Sequence, residues 1–257
     1  MLTDAHAHLN DSAYANDLDE VYRNAIENGV RIIVNSAWDR QSSEKAMELA
    51  DRYPEMYFTV GIHPHNVDSI QDRDFYRLCD LTKHEKCVAW GEIGLDYHFD
   101  VSKIDLQKAI FKEQIAIADE LSLPVVLHVR DAYLDADNII KDNIDKMKNG
   151  VLLHCYSGSK ELAKDFYNKF GFYYSFGGAI TFKNNNKKAV LEVIPEDKLL
   201  IETDCPYMTP VPFRGNRNSP TYTRYVVDKM ALDLGKTPEE IEKITHDNLV
   251  RFYRIKE

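Results

Sequence analysis

The sequence has no long hydrophobic run. Nowhere do about 18 apolar residues follow one another, so a membrane-spanning helix is excluded as the organising element and no membrane partner is expected. Cysteine is scarce: Cys79, Cys87, Cys155 and Cys205 form no C-x-x-C pair and no dense small-domain spacing. A zinc knuckle and a disulfide framework are both excluded, and the four are read as reduced thiols. Positive charge is in deficit, with 32 Lys and Arg against 42 Asp and Glu and a formal net charge of −10. A protein that coats nucleic acid non-specifically needs clustered cations to neutralise phosphates; this composition argues against that class but leaves room for a local basic rim. No low-complexity linker divides the chain, so residues 1–257 are expected to form one domain, a length that alternating strand–helix barrels routinely reach. The first chemically suggestive residue is Asp4, which leaves no room for a cleavable leader, and a cytoplasmic protein is expected.

What is present is an alternation. LTDAHA reads as a strand, DLDEVYRNAIENG as an amphipathic helix closed by Gly29, and VRIIVNS as the next strand. The rhythm continues through MYFTVGI, CVAWGEIG, PVVLHV, GVLLHC, FYYSFG and KLLIET, with helical stretches between them, NKKAVLEVI being the last. The strands lack a strict apolar–polar alternation, as parallel strands covered on both faces do. A (β/α)8 barrel is expected, with a doubly wound open sheet as the alternative. TYTRYVVDKMALDLG and TPEEIEKITHDNLVRFYRI then close the chain as helices.

Histidines and acids fall at one place in this rhythm. His6 and His8 end the first strand, His63 follows the third, Glu92 ends the fourth, His128 the fifth, His154 the sixth, and Asp204 follows the eighth. In a barrel these carboxyl ends open on the face where active sites are assembled. Side chains two apart on a strand point the same way, so the rings of His6 and His8 can reach one ion. The set exceeds the three protein ligands of a usual catalytic zinc, which favours two metals. Glu92 then bridges them, a shared hydroxide attacks, and Asp204 both ligates and accepts the proton. Zinc, magnesium and manganese all remain open as the divalent ions.

TDAHAHL, GIHPH, GEIGLDY, LHVRDA, LHCYSG, ITFKNN and ETDCPYMTPVPFRGNRNSP, in this order from residue 3 to 220, resemble the TatD-type metal-dependent hydrolases of the amidohydrolase superfamily. The resemblance implies a (β/α)8 barrel, a metal-dependent deoxyribonuclease activity that often removes nucleotides from 3′ ends, and DNA as substrate. Carried over, the metal ligands are His6, His8, Glu92, His128, His154 and Asp204. Many dinuclear members of the superfamily bridge their metals with a carboxylated lysine; WGEIG offers Glu92 in that role, so assembly should not need carbon dioxide.

Phosphodiester hydrolysis also needs groups that hold a phosphate and steady its developing charge. The candidates are His63 and His65 in GIHPH, Arg130 beyond His128, Lys183 in ITFKNN, and Arg214 and Arg217 in FRGNRN. His65 is also suited to orienting a ligand through its free nitrogen. Tyr97, Tyr156, Phe182, Tyr207 and Phe213, near the same loops, are candidates for stacking on bases. The family's usual ending is closer to HRGKRNEP, whereas this chain has Phe213 and Ser219, so an imidazole and an acid are missing beside the substrate. Three functions therefore compete. They are a two-metal deoxyribonuclease acting on DNA ends, a hydrolase of a small ester, amide or phosphate, and a scaffold whose metals only stabilise it. A monomer is expected.

Overall fold

The computed structural model describes residues 1–98, 101–185 and 187–256. Its strands are β1 (Leu2–Ala7), β2 (Val30–Asn35), β3 (Met56–Val60), β4 (Cys87–Asp96), β5 (Val125–Arg130), β6 (Val151–Leu153), β7 (Tyr173–Phe176) and β8 (Leu199–Ile201). They form one eight-stranded sheet in the order β1 to β8. A doubly wound sheet reverses its strand order at a switch point; this order never reverses, which sets the open-sheet alternative aside. The sheet closes on itself beside β1, where Thr203 N donates to Asp4 Oδ1 at 2.9 Å and Asp204 N to His6 O at 2.9 Å. The fold is a (β/α)8 barrel.

The chain divides into two compact units, residues 1–35 with 158–257, and residues 36–157. In the first, helices α1 (Leu18–Glu27), α6 (Lys160–Phe170), α7 (Lys188–Leu191), α8 (Thr223–Leu234) and α9 (Pro238–Tyr253) accompany β1, β2, β7 and β8. Local chemistry sets their ends. Ser159 caps α6 by accepting from Leu162 N, and Gly171, in the left-handed region, stops it. Thr237 and Glu240 form a capping box around Pro238 at the start of α9. Of the helix expected over NKKAVLEVI, Asn186 lies outside the described residues, and over residues 187–194 only the four of α7 are helical: Pro195 follows closely, and β-branched Val193 and Ile194 have little helix preference.

The second unit holds β3 to β6 with α2 (Arg40–Arg52), α3 (Asp72–Leu81), α4 (Ile104–Glu120) and α5 (Tyr133–Asn143). Here α4 holds two of the strand ends. Its buried Gln114 accepts from Ile62 N at 2.8 Å and donates to Ile62 O at 2.9 Å, while Trp90 Nε1 donates to the same side-chain oxygen of Gln114 at 3.1 Å. Two turns earlier on the same helix, Gln107 does the same to Asp96, accepting from its N at 2.9 Å and donating to its O at 3.0 Å. Both amides satisfy backbone groups that the sheet leaves open, and so fix the residues around His63 and at the end of β4.

Strand β4 differs from its expected extent. It runs four residues past Glu92, to Asp96. The register with β5 shifts between Trp90 and Ile93, and Gly94 takes φ +140° where a Cβ would stand 2.1 Å from His128 O. Only glycine permits that conformation and that approach.

Candidate metal centre

In the first unit β1 is buried along its whole length, and the chain beyond it is pinned where Leu9 N donates to Asn35 Oδ1 at 2.7 Å. His6 and His8, both buried, place their Nε2 atoms 3.2 Å apart. Asp204 Oδ1 lies 3.2 Å from His8 Nε2 and 3.8 Å from His6 Nε2. Asp204 reaches this position from a left-handed backbone, φ +55°, just beyond β8. Two nitrogens on one tetrahedral zinc at ~2.1 Å stand about 3.4 Å apart, so these three donors have the spacing and chemistry of a divalent-cation site.

The second unit gathers a larger set. Glu92 Oε1 lies 2.7 Å from His154 Nε2, 2.8 Å from His128 Nδ1 and 3.6 Å from His63 Nε2. His128 Nδ1 and His154 Nε2 are themselves 3.2 Å apart. The opposite nitrogen of His128, Nε2, is 2.8 Å from Asp96 Oδ2. A carboxylate there holds a ring proton on Nε2 and turns Nδ1 toward Glu92 and His154, the arrangement by which proteins orient a metal-binding imidazole. Burial pushes the His128 pKa down, but the hydrogen bonds to Asp96 and Glu92 outweigh it and leave it raised, so the pocket favours positive charge. Burial pushes the Asp96 carboxyl up, yet His128 and His65 hold it well below the usual range, and it stays ionised.

His63 belongs to this cluster in a different capacity. Its Nδ1 accepts from His65 N at 3.1 Å, which places the ring proton on Nε2. Burial holds its pKa well below the ordinary value. In this arrangement it is a neutral donor through Nε2–H, next to Glu92. His65 turns to Asp96, its Nε2 being 3.0 Å from Oδ2. Two groups of this neighbourhood, the Asp96 carboxylate and the Gln107 amide, are not among the residues that the sequence singles out. The Asp of GEIGLDY is visible as a letter, but only the extension of β4 through Gly94 shows that it backs His128.

The other expected substrate residues are dispersed. Arg130 closes β5 and is exposed, as is Lys183. Arg214 lays its guanidinium 4.0 Å over the Phe182 ring. Arg217 is occupied: its guanidinium pairs with both oxygens of Asp17, donates to Ala13 O, and lies 4.7 Å over the Tyr14 ring. No helix among the described residues is long and apolar enough to cross a membrane.

Known proteins resemble this chain over almost its whole length. A sequence model of the family described as TatD related DNase matches residues 3–254. The uncharacterized metal-dependent hydrolase YabD of Bacillus subtilis (strain 168) is 45% identical over 256 residues, covering 99% of this chain and 100% of that one. The 3′-5′ ssDNA/RNA exonuclease TatD of Cronobacter sakazakii is 32% identical over 256 residues, covering 97% of each. Among solved structures, the TatD homologue YjjV of Escherichia coli K12 superposes with a TM-score of 0.92 at 27% identity, over 99% of this chain and 98% of that one. The chain belongs to the TatD family and is a metal-dependent hydrolase.

Proposed function

We propose that the protein is a two-metal deoxyribonuclease that removes nucleotides from the 3′ ends of DNA. The observation that carries this reading is Glu92: one carboxylate oxygen faces two imidazole nitrogens at 2.7 and 2.8 Å, one of them oriented from behind by Asp96. In this reading His6, His8 and Asp204 would hold one cation and Glu92, His128 and His154 a second. Bound divalent ions supply Lewis acidity and make water a nucleophile at neutral pH.

The protein's own groups do the rest. Asp204, a half-buried carboxylate, takes the proton from the attacking water. His63 donates its Nε2 proton to a non-bridging phosphate oxygen, where charge grows in the transition state. Arg130, Lys183 and Arg214 steer the polyanion. A relative named 3′-5′ ssDNA/RNA exonuclease, similar over nearly its whole length, supports the choice of substrate. Net charge and the occupation of Arg217 by Asp17 favour a second reading, a hydrolase of small phosphate or carboxylic esters.

The test uses a single-stranded oligonucleotide labelled at its 5′ end, with magnesium or manganese, and Glu92→Ala as control. A ladder shortening from the 3′ end, absent in the variant, supports the nuclease. Metal-loaded protein that leaves DNA intact but hydrolyses a small ester moves the assignment to the second reading.

A further inference from the structure

The aromatic side chains that the sequence offers for stacking differ in what they present to solvent. Tyr156 is 2% exposed and packs edge-on against Tyr133, and Tyr97 is half-buried with its hydroxyl donating to Asp135 Oδ2 at 2.8 Å. Phe213 is stacked on Tyr222, centroids 4.9 Å apart and planes 12° apart, and Phe182 has Arg214 over its face. Tyr207 is 55% exposed.

Its place is as notable as its exposure. The Tyr207 ring centroid lies 6.3 Å from that of His8, with the planes inclined at 66°. The backbone that carries it is fixed on both sides. Tyr207 N donates to Asp204 O at 2.9 Å, and buried Asn218 donates from Nδ2 to both Tyr207 O, at 2.6 Å, and Thr203 O, at 2.8 Å. At the far end of the ring the hydroxyl reaches Asp11 Oδ2 at 3.4 Å. An aromatic surface left open to water costs burial energy that the fold does not recover, and here it is presented on a stapled backbone beside a metal-ligating imidazole. Such a platform suits a flat, apolar face that arrives together with a metal-bound phosphate.

We infer that Tyr207 is the stacking platform for the base of the 3′-terminal nucleotide, a substrate-positioning residue that holds that nucleotide while its phosphodiester is hydrolysed. This rests on the DNA-hydrolase reading above. Stacking on an aromatic ring tolerates all four bases, so such a platform engages ends without sequence preference. It also supplies affinity from dispersion rather than charge, which suits a chain whose net charge is −10.

The experiment compares two 5′-labelled oligonucleotides that differ only in whether the 3′-terminal residue carries a base. Wild-type protein should show a KM about tenfold higher for the abasic end, in line with the loss of one base–aromatic stack, with kcat changed far less. Anisotropy titration should show the same loss in binding. Tyr207→Ala should raise KM for the intact end by the same factor and no longer distinguish the two ends, and Tyr207→Phe should restore the difference. Equal KM for both ends in the wild type, with hydrolysis intact, overturns the stacking role and leaves the nuclease standing. Absence of hydrolysis of either oligonucleotide overturns the DNA-hydrolase reading itself. The wild-type comparison needs no variant, so equal KM for the two ends overturns the proposal even where Tyr207→Ala misfolds.

Discussion

Asp96 is not itself an expected metal ligand, yet it decides which nitrogen of His128 is free. Through Oδ2 it meets His128 Nε2 at 2.8 Å and His65 Nε2 at 3.0 Å, and through Oδ1 it accepts from His98 N at 2.8 Å. Without it, His128 can take the other tautomer and present a proton where a lone pair is needed. Asp96→Ala should lower metal affinity by about 10–100-fold, the usual cost of losing such a partner, with the far-ultraviolet spectrum unchanged; metal titration of the stripped variant measures it. Arg217 marks the opposite case, a residue that looks like a phosphate ligand and serves the fold. Arg217→Ala should lower the melting temperature while leaving KM for an oligonucleotide near its wild-type value. The hydrogen bond from Arg217 holds the Asp17 carboxyl below its ordinary value of 3.8. A depressed carboxylate stabilises the folded state above its unfolded pKa, and that contribution is lost as pH falls through the lower folded value. The gap in melting temperature between wild type and Arg217→Ala should therefore be full at neutral pH and close in strong acid.

Elements translate these residues into positions. β4 reaches Asp96 only because Gly94, at φ +140°, lets the strand pass within contact of His128 O. Gly94→Ala puts a Cβ at 2.1 Å from that oxygen and a side chain on a backbone that L-residues avoid. It should destabilise by about 3 kcal/mol or more, read as a fall in the urea midpoint at constant slope. The alternation of strands and helices is legible in the sequence because runs such as VRIIVN and VVLHVR are short, β-branched and bounded by turn residues, and the histidines stand at their ends. Asp96 is not legible there: the register shift that makes it a strand end depends on pairing between β4 and β5, which no local pattern encodes. Nor is the engagement of Arg217, since its partner Asp17 is 200 residues away. Apolar spacing overstates α7, which Pro195 cuts to four residues.

At the scale of the molecule, metal and fold are linked. Each unit carries buried or half-buried nitrogens and carboxylate oxygens crowded within about 3 Å of one another, and such groups are costly to bury unless something positive satisfies them. A cation that binds the folded chain and not the unfolded one stabilises it by about 2.7 kcal/mol at 100 times its dissociation constant, which for a chain of this size is roughly 5–10 °C in melting temperature. Protein stripped with a chelator and dialysed should melt lower by that order, and manganese or zinc should restore both the melting temperature and hydrolysis. The restoring buffer tests the bridging role expected of Glu92. A carboxylated lysine forms only where carbon dioxide is available, whereas Glu92 is a carboxylate from synthesis onward. Recovery in degassed, bicarbonate-free buffer should match recovery with bicarbonate in rate and extent; a recovery that requires bicarbonate would remove Glu92 from the bridging role and point to a lysine in its place.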